Sequence, residues 1–234
     1  MIDQQIAIPT KDGHTATFIS HPERGGPFPV ILFYMDAPAI REELRDMARR
    51  LATSGYYVML PNLYYRSGVM ELGALPADPN APERKRMFAL MGSLTIAMIM
   101  DDTRALLKLI GTVGYCMSGR YAVNAATHFP DRVKAAASVY GTQLATDQDD
   151  SPHLAAAKTK AELYFACAET DIYAPAEIIE KVKQGMSGAK AEVEIYPGTH
   201  HGFAFPKRPV YHRDAAERHW ERLLALYRRN LVQT

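Results

Sequence analysis

The hydrophobic pattern of the first 35 residues predicts strands only. Segments 2–8 and 15–20 predict two strands, and the apolar run at 30–35 is typical of a strand buried on both faces of a parallel sheet. The stretch at 21–27, rich in glycine and proline, leaves no room for a helix before the third strand. Three strands therefore precede the first helix.

After this region the pattern predicts helices and strands in alternation. Apolar residues spaced three and four apart indicate a helix at about 40–54, and Gly55 is placed to end it. Further helices are predicted at 93–108, at 118–128, after Pro175 and at 216–231. Further strands are predicted at 56–60, 112–115, 134–140, 162–168 and 191–196.

This order of elements predicts an α/β fold for residues 1–234 as a single domain. We expect an open, mostly parallel sheet of about eight strands, with an antiparallel N-terminal edge and helices on both faces. A (β/α)₈ barrel is the main alternative for this length, but a barrel alternates strand and helix from its start. Segment 61–92 is irregular, with four prolines and a possible short helix at 84–91, which indicates a lid.

Composition and charge exclude several classes of protein. The chain has 234 residues, 47% of them apolar, and its net charge of +1 argues against a nucleic-acid-binding protein. The longest apolar run, 94–100, is far short of the roughly 20 residues that cross a bilayer. The N-terminus lacks a basic start and an apolar segment, so we expect no signal peptide. With two cysteines, too few for a disulfide framework, a cytoplasmic protein with reduced thiols is expected.

The strongest chemical signal is the heptapeptide Gly-Tyr-Cys-Met-Ser-Gly-Arg at 114–120, between a short strand and a helix. This context is typical of a nucleophile elbow, in which a tight turn exposes a nucleophile at the end of a strand. Cys116 takes the place of the usual serine, and the N-terminus of the next helix would favour its thiolate. The alternative is a cysteine that only packs in a buried strand, which is how we interpret Cys167.

Two later loops supply an acid and a base in the order that α/β-hydrolases use. Asp171 follows the strand predicted at 162–168, and either His200 or His201 follows the strand predicted at 191–196. Because active sites of open α/β sheets lie at the carboxyl ends of the strands, these side chains are expected to meet Cys116. Any one of them alone would be read as a turn or surface residue.

Together these segments resemble the dienelactone hydrolase family, which consists of cysteine hydrolases with the α/β-hydrolase fold. The resemblance rests on the heptapeptide, on Ala-Glu-Thr-Asp at 168–171 and on Tyr-Pro-Gly-Thr-His-His-Gly-Phe at 196–203. It implies a triad of Cys116, Asp171 and His201, because the family's catalytic histidine directly precedes Gly-Phe or Ser-Phe.

The resemblance also implies roles in substrate binding. Asp36 stands where members commonly carry a glutamate that contacts the nucleophile in the resting enzyme. Arg84 resembles one of two arginines that bind the substrate carboxylate in dienelactone-cleaving members, and Phe205 stands at the position of the other. We therefore expect Phe205 to make one pocket wall apolar, and neutral esters to be turned over better than a carboxylated dienelactone.

The predicted reaction is hydrolysis of a small-molecule ester or lactone through a thioester on Cys116. Backbone N–H groups of Met117 and Ala37 would stabilise the oxyanion, and no metal or cofactor is required. The alternatives are a general carboxylesterase or thioesterase, and a redox sensor or ligand-binding protein that needs no relay of Asp171 and His201 behind the cysteine. We expect no nucleic-acid or membrane partner, and either a monomer or a homodimer.

One departure from the family lies before the elbow strand, where members usually have several more residues. Here Gly111 is almost the only connector between the helix ending near Lys108 and the strand beginning at Thr112. Either the helix ends earlier and residues 109–110 belong to the strand, or a mobile loop is absent from this chain.

Overall fold

The computed structural model describes residues 1–106 and 110–231, and in it eight strands form one sheet. The strands are β1 (Ile2–Thr10), β2 (Gly13–His21), β3 (Val30–Tyr34), β4 (Tyr57–Pro61), β5 (Ile110–Tyr115), β6 (Val133–Val139), β7 (Glu162–Thr170) and β8 (Ala191–His200). Their order across the sheet is β1-β2-β4-β3-β5-β6-β7-β8. All eight strands expected from the hydrophobic pattern are confirmed.

The first two strands differ from the rest in direction. β1 pairs with β2, and β2 with β4, in antiparallel fashion, whereas every later pair in the sheet is parallel. β1 and β8 form opposite edges, so the sheet is open and the barrel alternative is wrong. The prediction of a mostly parallel sheet with an antiparallel N-terminal edge is confirmed.

Helices cover both faces of this sheet. They are α1 (Glu42–Thr53), α2 (Pro82–Gly92), α3 (Ile96–Ala105), α4 (Gly119–His128), α5 (Ala176–Gly185) and α6 (Arg213–Leu231). In β5 the hydroxyl of Thr112 donates to the Ala122 carbonyl in α4, whereas the hydroxyl of Tyr115 bonds to His219 in α6. Side chains an odd number of positions apart point to opposite faces of a strand, so α4 and α6 lie on opposite sides of the sheet.

β7 and β8 extend further than their apolar patterns predict, and this extension brings two loops of interest together. The predicted ends were at 168 and 196, before Pro197 and Gly198. The parallel register is irregular between Ala168 and Thr170, after which Thr170 pairs with His200. The residues that follow the two strands, Asp171 and His201, therefore begin adjacent loops at the same edge.

The helix before β5 is shorter than the sequence predicts. α3 ends at Ala105, and β5 begins at Ile110, so Gly111 is a strand residue and not a connector. The predicted helix end near Lys108 and the alternative that Leu109 belongs to the strand both concern residues that lie outside the described ones. In the irregular segment 61–92, the expected short helix is present as α2 and begins at Pro82.

Within the described parts of the chain, we find no helix that combines the length and the apolar character needed to cross a membrane.

Candidate active site

Cys116 lies directly after β5, in a turn with a strained backbone. Its φ of 56° is in the left-handed region, which residues other than glycine rarely adopt. A side chain on Gly114 would come within 2.1 Å of the Ser118 carbonyl oxygen, so the tight approach across the turn requires glycine there. A short 3₁₀ turn, Cys116–Ser118, then leads into α4. The elbow expected from the heptapeptide is therefore present in the backbone.

Ser118 holds this turn against the centre of the sheet. Its side chain is buried, and its hydroxyl accepts a hydrogen bond from the Tyr115 N–H at 2.9 Å. The same hydroxyl lies 3.0 Å from the carbonyl oxygen of Tyr34 at the end of β3. The residue that replaces the second glycine of the usual elbow pattern thus links β5 to its neighbouring strand.

His201 and Asp171 are joined by a hydrogen bond. Nδ1 of His201 lies 2.7 Å from Oδ2 of Asp171, and Oδ1 of Asp171 accepts the backbone N–H of Tyr173 at 2.9 Å. The Asp171 side chain is almost completely buried, and the His201 side chain is 13% exposed. His200, in contrast, is exposed at the end of β8 and makes no such contact.

The surroundings of His201 favour its protonated form. Burial opposes the positive charge, but the hydrogen bond to Asp171 and the neighbouring Cys116 outweigh it and raise the pKa of the imidazole to about 9. Nε2 is buried and has no partner that meets hydrogen-bond geometry in the described structure. The imidazole is thus oriented through Nδ1, with Nε2 free to engage another group.

Cys116 and His201 line the same cavity, which has a volume of about 740 Å³. Much of its wall comes from segment 61–92, including Gly73, Ala74, Leu75, Arg84, Met87, Phe88 and Met91. Tyr173 lies beside the imidazole, with the two ring centroids 4.8 Å apart. Arg84 is half-buried in this wall, and its Nε donates to the carbonyl oxygen of Pro76.

A buried tyrosine contacts both residues whose N–H groups are expected to form an oxyanion hole. The hydroxyl of Tyr64 donates to the Ala37 carbonyl oxygen at 3.0 Å and lies 3.6 Å from the Met117 sulfur. The N–H of Met117 is at the start of a 3₁₀ turn, where backbone donors have no partner within the helix. Ala37 and Cys116 both line the cavity.

Asp36 is buried in a cluster with two arginines. Its Oδ1 accepts Nη1 of Arg41 at 2.6 Å, and its Oδ2 accepts Nη2 of Arg208 at 2.9 Å. Nη2 of Arg41 also donates to Glu43 at 2.9 Å. Among the described contacts, Asp36 makes no hydrogen bond to Cys116, so the contact that the resemblance implied for this position is absent here.

Phe205 does not form a wall of the cavity, and the expectation from its sequence position is corrected. The side chain is fully buried, and the guanidinium carbons of Arg41 and Arg208 lie 5.1 and 4.7 Å from its ring centroid. These two arginines line the cavity instead. The ring is buried because it packs against Tyr115 and Tyr140 in the core.

Arg41, Arg208 and Tyr64 are the site residues that sequence reasoning missed. Arg208 lies in the loop after His201, and Arg41 follows Asp36 by five positions and directly precedes α1. Tyr64 falls in the irregular segment, next to an asparagine whose side chain accepts its N–H. Neither spacing nor residue type marks any of the three before the fold is known.

Two further expectations concern cysteine and metal. Cys167 is buried in β7, and burial raises the pKa of its thiol to about 12, which agrees with a packing role. Across residues 1–106 and 110–231, no group of three or more histidine, cysteine, aspartate or glutamate side chains is arranged to hold a metal ion.

A model of the dienelactone hydrolase family matches residues 15–231. The chain belongs to this family. Proteins named "Putative carboxymethylenebutenolidase" from Methylorubrum extorquens and Escherichia coli are each 28% identical to it, over 97% and 95% of this chain and 81% and 85% of theirs. A crystal structure of a "Putative Dienelactone Hydrolase" from Klebsiella pneumoniae superposes with a TM-score of 0.84 at 25% identity, covering 97% of this chain and 98% of the other.

Membership of the dienelactone hydrolase family agrees with the sheet order and the helices on both faces, which form an α/β-hydrolase fold. The protein is therefore a hydrolase that acts on carboxylic ester or lactone bonds.

Proposed function

We propose that this dienelactone hydrolase family member cleaves its substrate through a triad of Cys116, His201 and Asp171. The observation that carries the proposal is the 2.7 Å hydrogen bond that Nδ1 of His201 donates to Asp171, which leaves Nε2 without a described partner at the cavity that His201 and Cys116 both line. A base oriented by a carboxylate beside a nucleophile is the arrangement that acyl-transfer enzymes use.

In the first step, the sulfur of Cys116 attacks the carbonyl carbon of the ester or lactone. With a pKa of about 9, His201 carries a proton at neutral pH, so Nε2 holds the proton that the leaving group needs. As the tetrahedral intermediate collapses, the carbon–oxygen bond breaks and Nε2 of His201 gives its proton to the leaving alkoxide. The products are an alcohol and a thioester on Cys116.

In the second step, water hydrolyses the thioester. Formation of the thioester removes the charge on sulfur, which was one of the influences that raised the pKa of His201. The now neutral imidazole takes a proton from water, hydroxide adds to the carbonyl carbon, and the carbon–sulfur bond breaks. His201 and Cys116 return to their starting protonation states when the acid product leaves.

The N–H groups of Met117 and Ala37 are proposed to bind the oxyanion in both steps. Loss of one such donor typically lowers the rate by about 10²–10³-fold. The hydroxyl of Tyr64 contacts the Ala37 carbonyl oxygen and the Met117 side chain, so it is suited to hold these two residues next to each other. This role requires the rigidity that a nearly fully buried tyrosine provides.

A cavity of about 740 Å³ with an apolar side accommodates a small organic ester or lactone. We propose that segment 61–92 acts as a lid over it, because Leu75 and Met87 of this segment line the cavity. Arg84 is the candidate to receive an anionic group of the substrate, because among the described contacts its guanidinium is engaged only through Nε, by a backbone carbonyl. A redox sensor or a ligand-binding protein would have no use for the relay of Asp171 and His201.

The decisive experiment compares wild type with Cys116→Ala, using p-nitrophenyl acetate and a dienelactone as substrates. We expect Cys116→Ala to fold and to lose hydrolysis of both, because the side chain is half-buried at the cavity and not part of the core. Cys167→Ala is the matched control, since that thiol is buried in β7 and should leave kcat/KM nearly unchanged. Near-normal turnover by Cys116→Ala would refute the nucleophile assignment.

A further inference from the structure

The wall of the cavity contains two arginines that are already paired with carboxylates. Arg41 and Arg208 both donate to Asp36, and Arg41 also donates to Glu43. We call these four residues the arginine clamp. Asp36 is fully buried, whereas the arginine side chains remain 24% and 27% exposed and line the cavity.

The clamp lies next to the proposed catalytic residues. The guanidinium of Arg208 packs on Gly202, which directly follows His201 and has a φ of 98°; a side chain there would come within 3.0 Å of Nη1. Asp36 directly precedes Ala37, whose N–H is proposed to bind the oxyanion. Any group of the substrate close to the reacting carbonyl therefore meets the clamp.

The charges within the clamp balance. Two guanidinium groups face two carboxylates, and Asp36 is the only carboxylate that Arg208 contacts in the described structure. Asp36 lies between the two guanidinium groups and accepts a hydrogen bond from each of them. A substrate carboxylate would have to compete with Asp36 for the same donors and would also be repelled by it.

We infer that Asp36 is a specificity-determining residue: as the internal counter-ion of Arg41 and Arg208, it makes the cavity select esters with an uncharged acyl group. This inference rests on the proposed function and names its substrate class. Arg84 and Lys207 also line the cavity and have no carboxylate partner for their side chains among the described contacts, so they are the cations left for a negative charge elsewhere on the substrate.

The test measures kcat/KM for mono-p-nitrophenyl adipate and for its methyl ester, whose acyl chains end in a carboxylate and in an uncharged methyl ester. Wild type is expected to prefer the methyl ester. Asp36→Asn keeps the shape of the side chain but leaves Arg208 without a counter-ion, so the preference should shift toward the free carboxylate. The expected shift is between about tenfold and 100-fold, since one charge-assisted hydrogen bond becomes available.

Arg208→Gln is a second variant, and it should change the ratio of kcat/KM for the free carboxylate to kcat/KM for the methyl ester in the opposite direction. It removes one cation and leaves Asp36 in place, so the carboxylated ester should be used even less. The Arg208 side chain is partly exposed, so this variant is expected to fold and decides the question if Asp36→Asn does not. Asp46→Asn is the matched control, because Asp46 pairs with Arg49 on an exposed part of α1 outside this cavity.

The rates for the two esters distinguish a failure of this inference from a failure of the proposed function. If the methyl ester is not hydrolysed in a manner that depends on Cys116, the proposed function fails. If it is hydrolysed, but wild type prefers the free carboxylate or both clamp variants change the ratio less than threefold, the inference about Asp36 is overturned.

Discussion

His201 and His219 are both largely buried, yet their pKa values move in opposite directions. Burial favours the neutral form of each ring. At His201, the carboxylate of Asp171 and the neighbouring Cys116 outweigh burial and raise the pKa to about 9. At His219, burial prevails and lowers the pKa to about 4.

The difference lies in the partners. Nδ1 of His219 donates to the Ala216 carbonyl oxygen, and Nε2 accepts the hydroxyl of Tyr115 at 2.9 Å. Both partners are neutral, and the hydrogen bond to Ala216 and the charge of Glu217 offset only part of the loss of water around a charged ring. Both rings are buried, so the ionic partner of His201 is what keeps its pKa high enough for the ring to carry a proton at neutral pH.

The largest effect is expected when the charged histidine is removed. His201→Ala should lower kcat by several orders of magnitude, up to about 10⁶-fold, as loss of the base does in serine proteases. The reason is that no other described base contacts both Asp171 and the cavity. The measurement is kcat and KM for p-nitrophenyl acetate at pH 7.

The control is the adjacent residue. His200 is exposed and makes no contact with Asp171, so His200→Ala should reduce activity only mildly. If the two variants showed the reverse order of effects, the assignment would have to move to His200.

The next largest effect is expected when the carboxylate that distinguishes His201 from His219 is removed. Asp171→Asn leaves His201 buried without its ionic partner, so the pKa of the imidazole should fall below 9 and toward that of His219. The amide also favours the wrong tautomer, and the equivalent change in a serine protease lowers kcat by about 10⁴-fold. The measurements are kcat and an NMR titration of the His201 ring.

Retention of the high pKa in Asp171→Asn would show that the carboxylate is not its cause. As a matched control, Glu169→Gln changes a neighbouring carboxylate that accepts the Gly198 N–H at 2.9 Å but does not contact His201. It should leave the pKa of His201 near 9.

The sequence predicts one part of this site well. The elbow around Cys116 is a local motif, since strain at the cysteine and the close approach at Gly114 are satisfied within seven residues. Asp171 and His201 could be named because each begins the loop after a strand, and parallel strands end at one edge. Their catalytic roles remain predictions until the variants above are measured.

The clamp could not be predicted in the same way, because its contacts are made between distant segments. Arg208 is 172 positions from Asp36, and no periodic pattern records such a pairing. The expectation for Phe205 assumed that one residue replaces another at a fixed position. The chain instead buries Phe205 and reaches the cavity with an arginine three positions further on.

A smaller effect is expected on stability at acid pH, through His219. Because its folded pKa is below the unfolded value of 6.5, the unfolded state binds more protons between pH 6.5 and 4. The stabilisation is therefore complete above pH 6.5 and is lost as the pH falls toward 4. A pKa lowered to about 4 corresponds to about 3 kcal/mol in the free energy of unfolding.

The measurement is the free energy of unfolding by urea at several pH values between 7 and 4, for wild type and His219→Gln. The variant should be less stable at pH 7 but should lose less stability on acidification, since it lacks the titrating ring. Parallel curves for the two proteins would mean that His219 does not titrate in this range. His200→Gln, at an exposed position, should give the wild-type curve.

The smallest effect is expected from a change at Tyr115, the residue directly before Cys116. Tyr115 is fully buried, and its hydroxyl bonds to His219, whereas Cys116 lines the cavity. Tyr115→Phe removes the hydroxyl and leaves Nε2 of His219 without a donor, which should cost about 1–3 kcal/mol of unfolding free energy. Because the lost contact lies on the α6 side of the sheet, kcat for p-nitrophenyl acetate should stay within about threefold of wild type. Tyr211→Phe, whose hydroxyl makes no hydrogen bond among the described contacts, should change neither quantity. A Tyr115→Phe protein that kept full stability but lost activity would contradict this prediction. It would show that the buried contact between Tyr115 and His219 is coupled to the active site.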